Sequence, residues 1–268
     1  MSDDAERRSA PIDQSVPHSA RMWDYWLGGK NHYAADRAAG DAVKELFPGI
    51  VVDARQQRAF LRRAVRFLVR EAGVRQFLDL GSGLPTNDNT HEVAQRVDPA
   101  CRIVYVDNDP IVLAHAQGLL TSAAAGACAY LDGDVRDIGR VLGQAAQTLD
   151  FTEPVGVMML GIFGNIPDDD RVRDIRAAVL EAVCPGSYLV VSDGDTTDPA
   201  RLHAVEEFNR DNPGREYTNR DVEQIAAYFD GLELVEPGVV STPLWRPDPA
   251  AAGAPEKAAI HCGVARKP

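Results

Sequence analysis

A chain of 268 residues, 45% hydrophobic and 25% charged, has the composition of a folded globular protein long enough for one large or two small domains, which excludes wholesale disorder, collagen and coiled coil. Its formal net charge of -12 argues against a broad basic surface for duplex nucleic acid or an anionic membrane, so neither is expected as a partner.

Residues 1–16 show no apolar period and read as a disordered tail. Residues 17–52 form an N-terminal helical segment that opens PHSARMWDYWLGGKNHYAAD, where Gly28-Gly29 predicts a tight turn between a short helix and a second helical start. Residues 53–268 are expected to be the main domain. Asp53 is the candidate N-cap of its first helix, with an apolar stripe of Phe60, Leu61, Ala64, Val65, Leu68 and Val69 opposite Arg58, Arg62, Arg66 and Arg70, ending at Gly73. Short apolar runs then alternate with helical segments. Strand Gln76 to Leu80 leads through the Gly81 loop to a helix over Thr90 to Val97, and strand Arg102 to Val106 leads to a helix from Pro110 through Leu120. A third strand is expected near Ala127 to Leu131 and a fourth over Pro154 to Leu160. A helix opened by Pro167 and Asp168 to Asp170 follows, then strand Ser187 to Ser192. Helices over Pro199 to Asn209 and Val222 to Phe229 precede two strands, Leu232 to Val235 and Ala259 to Ala265. With no helix between them, these are expected to close the sheet as an antiparallel pair. The Pro/Ala-rich stretch Pro247 to Pro255 reads as a loop.

The polar, acidic start lacks the basic end and apolar run of a secretory signal, so the expected compartment is the cytoplasm. The longest apolar stretch, Val155 to Gly164, is half of the roughly 20 residues that span a bilayer and reads as a buried strand. Cys101, Cys128, Cys184 and Cys262 are scattered without a C-x-x-C pair. They read as reduced core hydrophobes, and no carboxylate and histidine spacing suggests a metal site.

Strand FLDL followed by Gly81-Ser82-Gly83 and a helix is the first turn of a doubly wound sheet, where ligands bind at the carboxyl ends of the strands. Asp107 ends the next strand, where a carboxylate accepts hydrogen bonds from both ribose hydroxyls of an adenosine ligand. Asp134 follows the third, where it can accept from an adenine amino group. A dinucleotide fingerprint needs a third small residue, but that position is Thr86. Asp79, two residues before the loop, repels a pyrophosphate and suits a ligand carrying an ammonium and a sulfonium. S-adenosylmethionine is therefore the expected cofactor, ahead of a nicotinamide dinucleotide. No P-loop is present.

The segments SARMWDYWLGGKNHYAADR, FLDLGSGLPTNDNTHEVA, VYVDNDPIVLAHA, LDGDVRDI, IPDD and CPGSYLVVSDGD resemble an actinobacterial family of S-adenosylmethionine-dependent methyltransferases, mostly of unassigned substrate, over residues 17 to 268. The resemblance implies a Rossmann-like, seven-stranded class I methyltransferase sheet with an antiparallel last strand. It implies Asp79, Gly81 and Gly83 around the methionine part, Asp107 on the ribose, and Asp134 with Val135 on the adenine. Ser82, Asn108 and Leu160 at the same strand ends complete the expected cofactor set. One departure stands out: where many members carry a His-rich stretch before the IPD motif, this chain reads Gly161-Ile162-Phe163-Gly164-Asn165. A carried-over proton-transfer role is not expected there, and Phe163 and Asn165 become candidate substrate contacts.

No catalytic side chain stands out, and methyl transfer needs mainly proximity and alignment. The aromatic segment 17–36 reads as a lid, with Arg21, Lys30 and Asn31 directed at the cofactor carboxylate and Tyr25, His32 and Tyr33 at the substrate. The [DN]-P-P-[YF] motif of nucleic-acid and protein amine methyltransferases is absent. The expected function is methyl transfer to a small molecule, such as a secondary metabolite. The alternative is a noncatalytic S-adenosylmethionine sensor that uses Trp23, Tyr25 and Trp26 as a partner surface.

Overall fold

The computed structural model describes residues 13–85, 88–112, 114, 126–248 and 257–268. The first twelve residues of the expected tail, most of the helix expected from Pro110 to Leu120 and most of the Pro247 to Pro255 loop lie outside the described residues. The strands are β1 (Gln76–Leu80), β2 (Arg102–Asp107), β3 (Cys128–Asp132), β4 (Val155–Leu160), β5 (Tyr188–Gly194), β6 (Glu233–Leu234), β7 (Val240–Ser241) and β8 (Ile260–Arg266). They form one 8-stranded sheet in the order β3-β2-β1-β4-β5-β8-β6, with β7 also paired to β8. The first five strands are parallel, and β8 runs antiparallel to both β5 and β6. This is the class I methyltransferase arrangement that the family resemblance implied. The eighth strand is the two-residue β7, too short to leave a sequence pattern. The pair expected from Leu232 and Ala259 onward forms, with β8 inserted between β5 and β6.

The near-continuous apolar runs reflect burial on both faces, as helix-covered parallel strands require. Alternate residues serve opposite layers. Leu78, Leu80, Val104 and Val106 pack with α5 (Ile138–Ala145), α6 (Asp169–Ala182) and α8 (Val222–Ala227), whereas Phe77, Ile103, Tyr105 and Met158 pack with α3 (Ile50–Arg70) and α4 (Thr90–Val97). Helix α5 is short and contains Gly139 and Gly143, which weaken its helical signal in the sequence.

Helix α3 begins at Ile50, so Asp53 lies in its first turn rather than at its N-cap, which is Gly49. The Asp53 carboxylate serves tertiary structure instead. It accepts from Nη1 of Arg201 at 2.7 Å, on α7 (Pro199–Asp211), and from the Ala259 N–H at 2.9 Å. The boundary expected between residues 52 and 53 thus falls inside one helix.

Two helices precede it, α1 (Ser19–Trp26) and α2 (Ala34–Leu46). The turn between them is built on Asp24, whose carbonyl accepts from the Gly29 N–H at 2.8 Å and whose carboxylate accepts from the Asn31 N–H at 2.8 Å. A Cβ on residue 29 would overlap the Asp24 carboxylate, and residue 28 has φ of 81°, so both glycines are required. Buried Asp36 ties the two helices together by accepting from the backbone N–H groups of His18 (2.9 Å) and Tyr33 (2.7 Å). Met22 and Trp26 pack against Val43, Phe47, Ile50, Ala54 and Ala204, and the Trp26 indole donates to the Gly40 carbonyl at 3.1 Å. The segment is therefore seated on α2, α3 and α7.

Candidate active site

In the strand order, β1 lies between β2 and β4, which the chain reaches by crossovers on opposite sides. The sheet therefore opens a crevice outside the carboxyl ends of these strands. Asp79 lies within β1 and Asp107 ends β2 alongside it, followed by the loops that begin at Gly81 and Asn108.

Gly81 and Ser82 donate to the Val106 carbonyl at 2.8 and 3.1 Å, folding the loop across the end of β2. Gly81 has φ of 71°, and a Cβ there would overlap the Ile162 side chain, so only glycine fits. Gly83 has φ of 65° and donates its N–H to the Asp107 carboxylate at 2.8 Å. A Cβ on Gly83 would meet no atom within 4 Å, so its open face leaves room for a ligand to reach the backbone. The other Asp107 oxygen accepts from the Asp109 N–H at 2.9 Å. Burial nevertheless pushes the Asp107 carboxyl up, against these two hydrogen bonds. Asp79 accepts from the Thr90 hydroxyl at 2.6 Å, and burial raises its pKa to about 6. Asp134 caps the turn Val135–Asp137 through the Arg136 N–H at 2.8 Å. It also takes the Arg136 guanidinium at 3.0 Å and the Asn108 amide at 3.2 Å on its second oxygen.

A cavity of about 350 Å³ joins these elements, within the ordinary range for a small-molecule site. Asp79, Gly81, Ser82, Gly83, Asp107, Asn108, Asp134, Val135 and Leu160 all line it. Of the expected substrate contacts, Asn165 lines it, with its side-chain amide donating to the Gly161 carbonyl at 2.8 Å.

The other expected residues lie off its wall. Arg21 is a buried residue of α1 itself, where its Nε sits 3.1 Å from Asp36 and 3.7 Å from Asp109, and its Nη2 donates to the Val16 carbonyl at 2.8 Å. Lys30 is exposed, and Asn31 belongs to the Asp24 turn. Tyr25 bonds Asp41 on α2, and its ring meets His32 edge-on at 5.1 Å. Tyr33 stacks under the Arg21 guanidinium at 5.4 Å. Phe163 is fully buried against Tyr228, with ring centroids 4.7 Å apart.

Among the cavity-lining side chains to which the sequence assigns no role are Arg58 and His18. Arg58 leaves the polar stripe of α3 and donates to the Asp88 carbonyl at 3.2 Å and to Asn89 Oδ1 at 3.4 Å. Burial lowers its pKa, while the charge of Asp79 acts the other way. His18, at the N-cap of α1, sits with Nδ1 3.1 Å from Asp109. Among the described residues no group of three His, Cys, Asp or Glu side chains could hold a metal ion, and no helix is long and apolar enough to cross a membrane.

Residues 5–268 match the model of a family described as S-adenosyl methyltransferase. Among solved structures, a DUF574 family protein from Streptomyces avermitilis is 41% identical, covers 96% of this chain and 100% of its own, and superposes with a TM-score of 0.91. A candidate methyltransferase from Thermobifida fusca is also 41% identical, covers 96% of this chain and 97% of its own, and gives a TM-score of 0.87. No curated protein matches the chain.

Proposed function

Because this chain belongs to the S-adenosyl methyltransferase family, with S-adenosylmethionine as its cofactor, we propose that it transfers the methyl group to a small molecule seated in the same cavity beneath α1 and α7. Bound S-adenosylmethionine supplies an electrophilic methyl group on a sulfonium centre. The donor set fits that ligand. The Asp107 carboxylate can accept from paired ribose hydroxyls, and the open face of Gly83 admits close approach to the backbone. Asp79 sets a negative charge at the end suited to a cation, and Asp134 with Val135 lies where an adenine would sit beside β3. Arg58, beside Asp79, takes the carboxylate role first expected of Arg21, Lys30 and Asn31.

The observation that carries the reading is the continuity of the cavity. It runs from the strand ends to Met22, Trp23 and Leu27 of the α1 region and to Ala204, Val205 and Phe208 of α7, so two reactants can be held side by side. Holding them in line supplies most of what the transfer needs. The reach of the cavity beyond the strand ends also favours transfer over a sensor, which needs room for one ligand only. The test is incubation of the protein with isotopically labelled cofactor and a metabolite extract, read by mass spectrometry. The expected result is a labelled small molecule heavier by one methyl group. Labelling confined to protein or nucleic acid would overturn the small-molecule acceptor.

A further inference from the structure

The acceptor half of the cavity has a chemistry of its own. Its wall holds five aromatic side chains: Trp23 and Trp26 from α1, Phe47 after α2, Phe208 from α7 and Tyr217. The polar atoms of Trp26 and Tyr217 are turned to the protein. The Trp26 indole donates to the Gly40 carbonyl. The Tyr217 hydroxyl donates to Asp193 at 2.8 Å and accepts from the Gly194 N–H at 3.2 Å. These side chains therefore offer ring surface to a ligand. Trp23, which meets Trp26 edge-on at 5.7 Å, and Phe208 are only half-buried.

The buried charge on this wall is neutralised within the protein, while Arg215 and Glu216, which also line the cavity, are exposed to solvent. Arg201, almost fully buried, pairs with Asp53 at 2.7 Å, donates to Asn219 at 2.9 Å, and lies over the Phe47 and Tyr217 rings at 6.0 and 5.7 Å. A charged acceptor seated against the buried rings would lose hydration without gaining a buried counter-ion.

One polar atom breaks the pattern. Gln57 lines the cavity from α3 next to Gly161, where a Cβ would come 3.0 Å from its amide nitrogen. It is 9% exposed, and its Oε1 has no hydrogen-bond partner among the described residues. A buried amide oxygen left unpaired is a standing penalty that a ligand O–H or N–H would relieve.

We propose that the acceptor is an uncharged, planar aromatic molecule carrying a hydroxyl or amino group, held between the rings of Trp23 and Phe208 with that group donating to Oε1 of Gln57. The proposal rests on the methyl-transfer reading above and adds the chemical class of the substrate. Aromatic rings confer affinity for flat ligands through dispersion and edge or offset stacking, and the single acceptor atom fixes which edge turns inward.

The test uses the full chain saturated with S-adenosylhomocysteine and titrates 1-naphthol, naphthalene and cyclohexanol, followed by quenching of tryptophan fluorescence and by calorimetry. 1-Naphthol is expected to bind at least tenfold more tightly than either of the others. Gln57→Leu is expected to erase the preference of 1-naphthol over naphthalene. Trp23→Ala is expected to weaken both arenes tenfold, each variant keeping its affinity for S-adenosylhomocysteine within twofold. Equal binding of cyclohexanol and 1-naphthol, no binding of either arene to the loaded protein, or a methylated product from extract that lacks an aromatic ring would overturn the proposal. Absence of S-adenosylhomocysteine binding would instead strike the cofactor reading beneath it, so the two failures are separable.

Discussion

Asp107 holds two backbone N–H groups before any ligand arrives, one from Gly83 and one from Asp109, and so organises the loop that would receive the cofactor. Its remaining lone pairs suit a ribose diol. Asp107→Ala is expected to lower S-adenosylhomocysteine affinity at least tenfold, about 1.4 kcal/mol or more, by titration calorimetry on a variant with wild-type circular dichroism. Equal affinity would put the ribose elsewhere. Asp79 gives a pH signature. Its pKa, raised to about 6 by burial, means that the fold favours the neutral carboxyl, a contribution to stability that is lost as pH rises through that value. A ligand ammonium favours the carboxylate. Cofactor affinity is therefore expected to fall as pH drops through about 6, and the Asp79→Asn variant should bind weakly without that inflection. Calorimetric titrations across the range check both. Arg58 shows why residue-scale reading stops short: on the helical wheel it sits with Arg62, Arg66 and Arg70. Only the packing of α3 against the Asp88-Asn89 loop turns its guanidinium inward.

At the scale of elements, α1 both roofs the cavity and is fastened to α2. His18, Met22 and Trp23 line the site, while Asp36 and Gly40 hold the segment from behind. Hydrogen exchange of residues 17–36 is expected to slow when S-adenosylhomocysteine fills the space beneath them, which would make the segment a lid. High protection without ligand, unchanged with it, would make it scaffold. Gly29→Ala drives a methyl group into the Asp24 carboxylate and is expected to speed exchange in the same residues, whatever the ligand does. The LGGK turn was legible as a turn because two adjacent glycines have few other uses. Its anchor, Asp24, was not, since an acid mid-helix usually points to solvent. Helix α3 gives a parallel case, with Asp53 resembling an N-cap until the fold brings Arg201 and the Ala259 N–H to it from far along the chain.

At the scale of the whole molecule, the cavity gathers side chains from the N-terminal helices, four loops of the sheet and α7, so a ligand that fills it ties together much of the chain. Binding to the folded state alone adds about 2.7 kcal/mol at a hundredfold excess over Kd. For a domain of this size that is expected to raise the Tm by roughly 5 to 10 °C. Differential scanning calorimetry with and without S-adenosylhomocysteine checks it, and an unchanged Tm at saturating ligand would contradict a site that spans these elements.

The sequence by itself determined the sheet, its antiparallel closure and the glycine loop with acids at three strand ends. Each of these is written in short stretches: two-sided burial makes a strand continuously apolar, and a ligand crossing a strand end meets residues one or two positions beyond it. Tertiary structure alone decided which cations face the ligand, which aromatics line the cavity and which polar atom on its wall is left unpaired among the described residues. Arg21 had the charge for a carboxylate, yet it is buried against Asp36, off the cavity wall. Tyr25 and Phe163 had the ring surface, yet α2 and the sheet core hold them. Whether a side chain reaches a site depends on the rotation of its helix and on partners far along the chain, and neither leaves a local mark in the sequence.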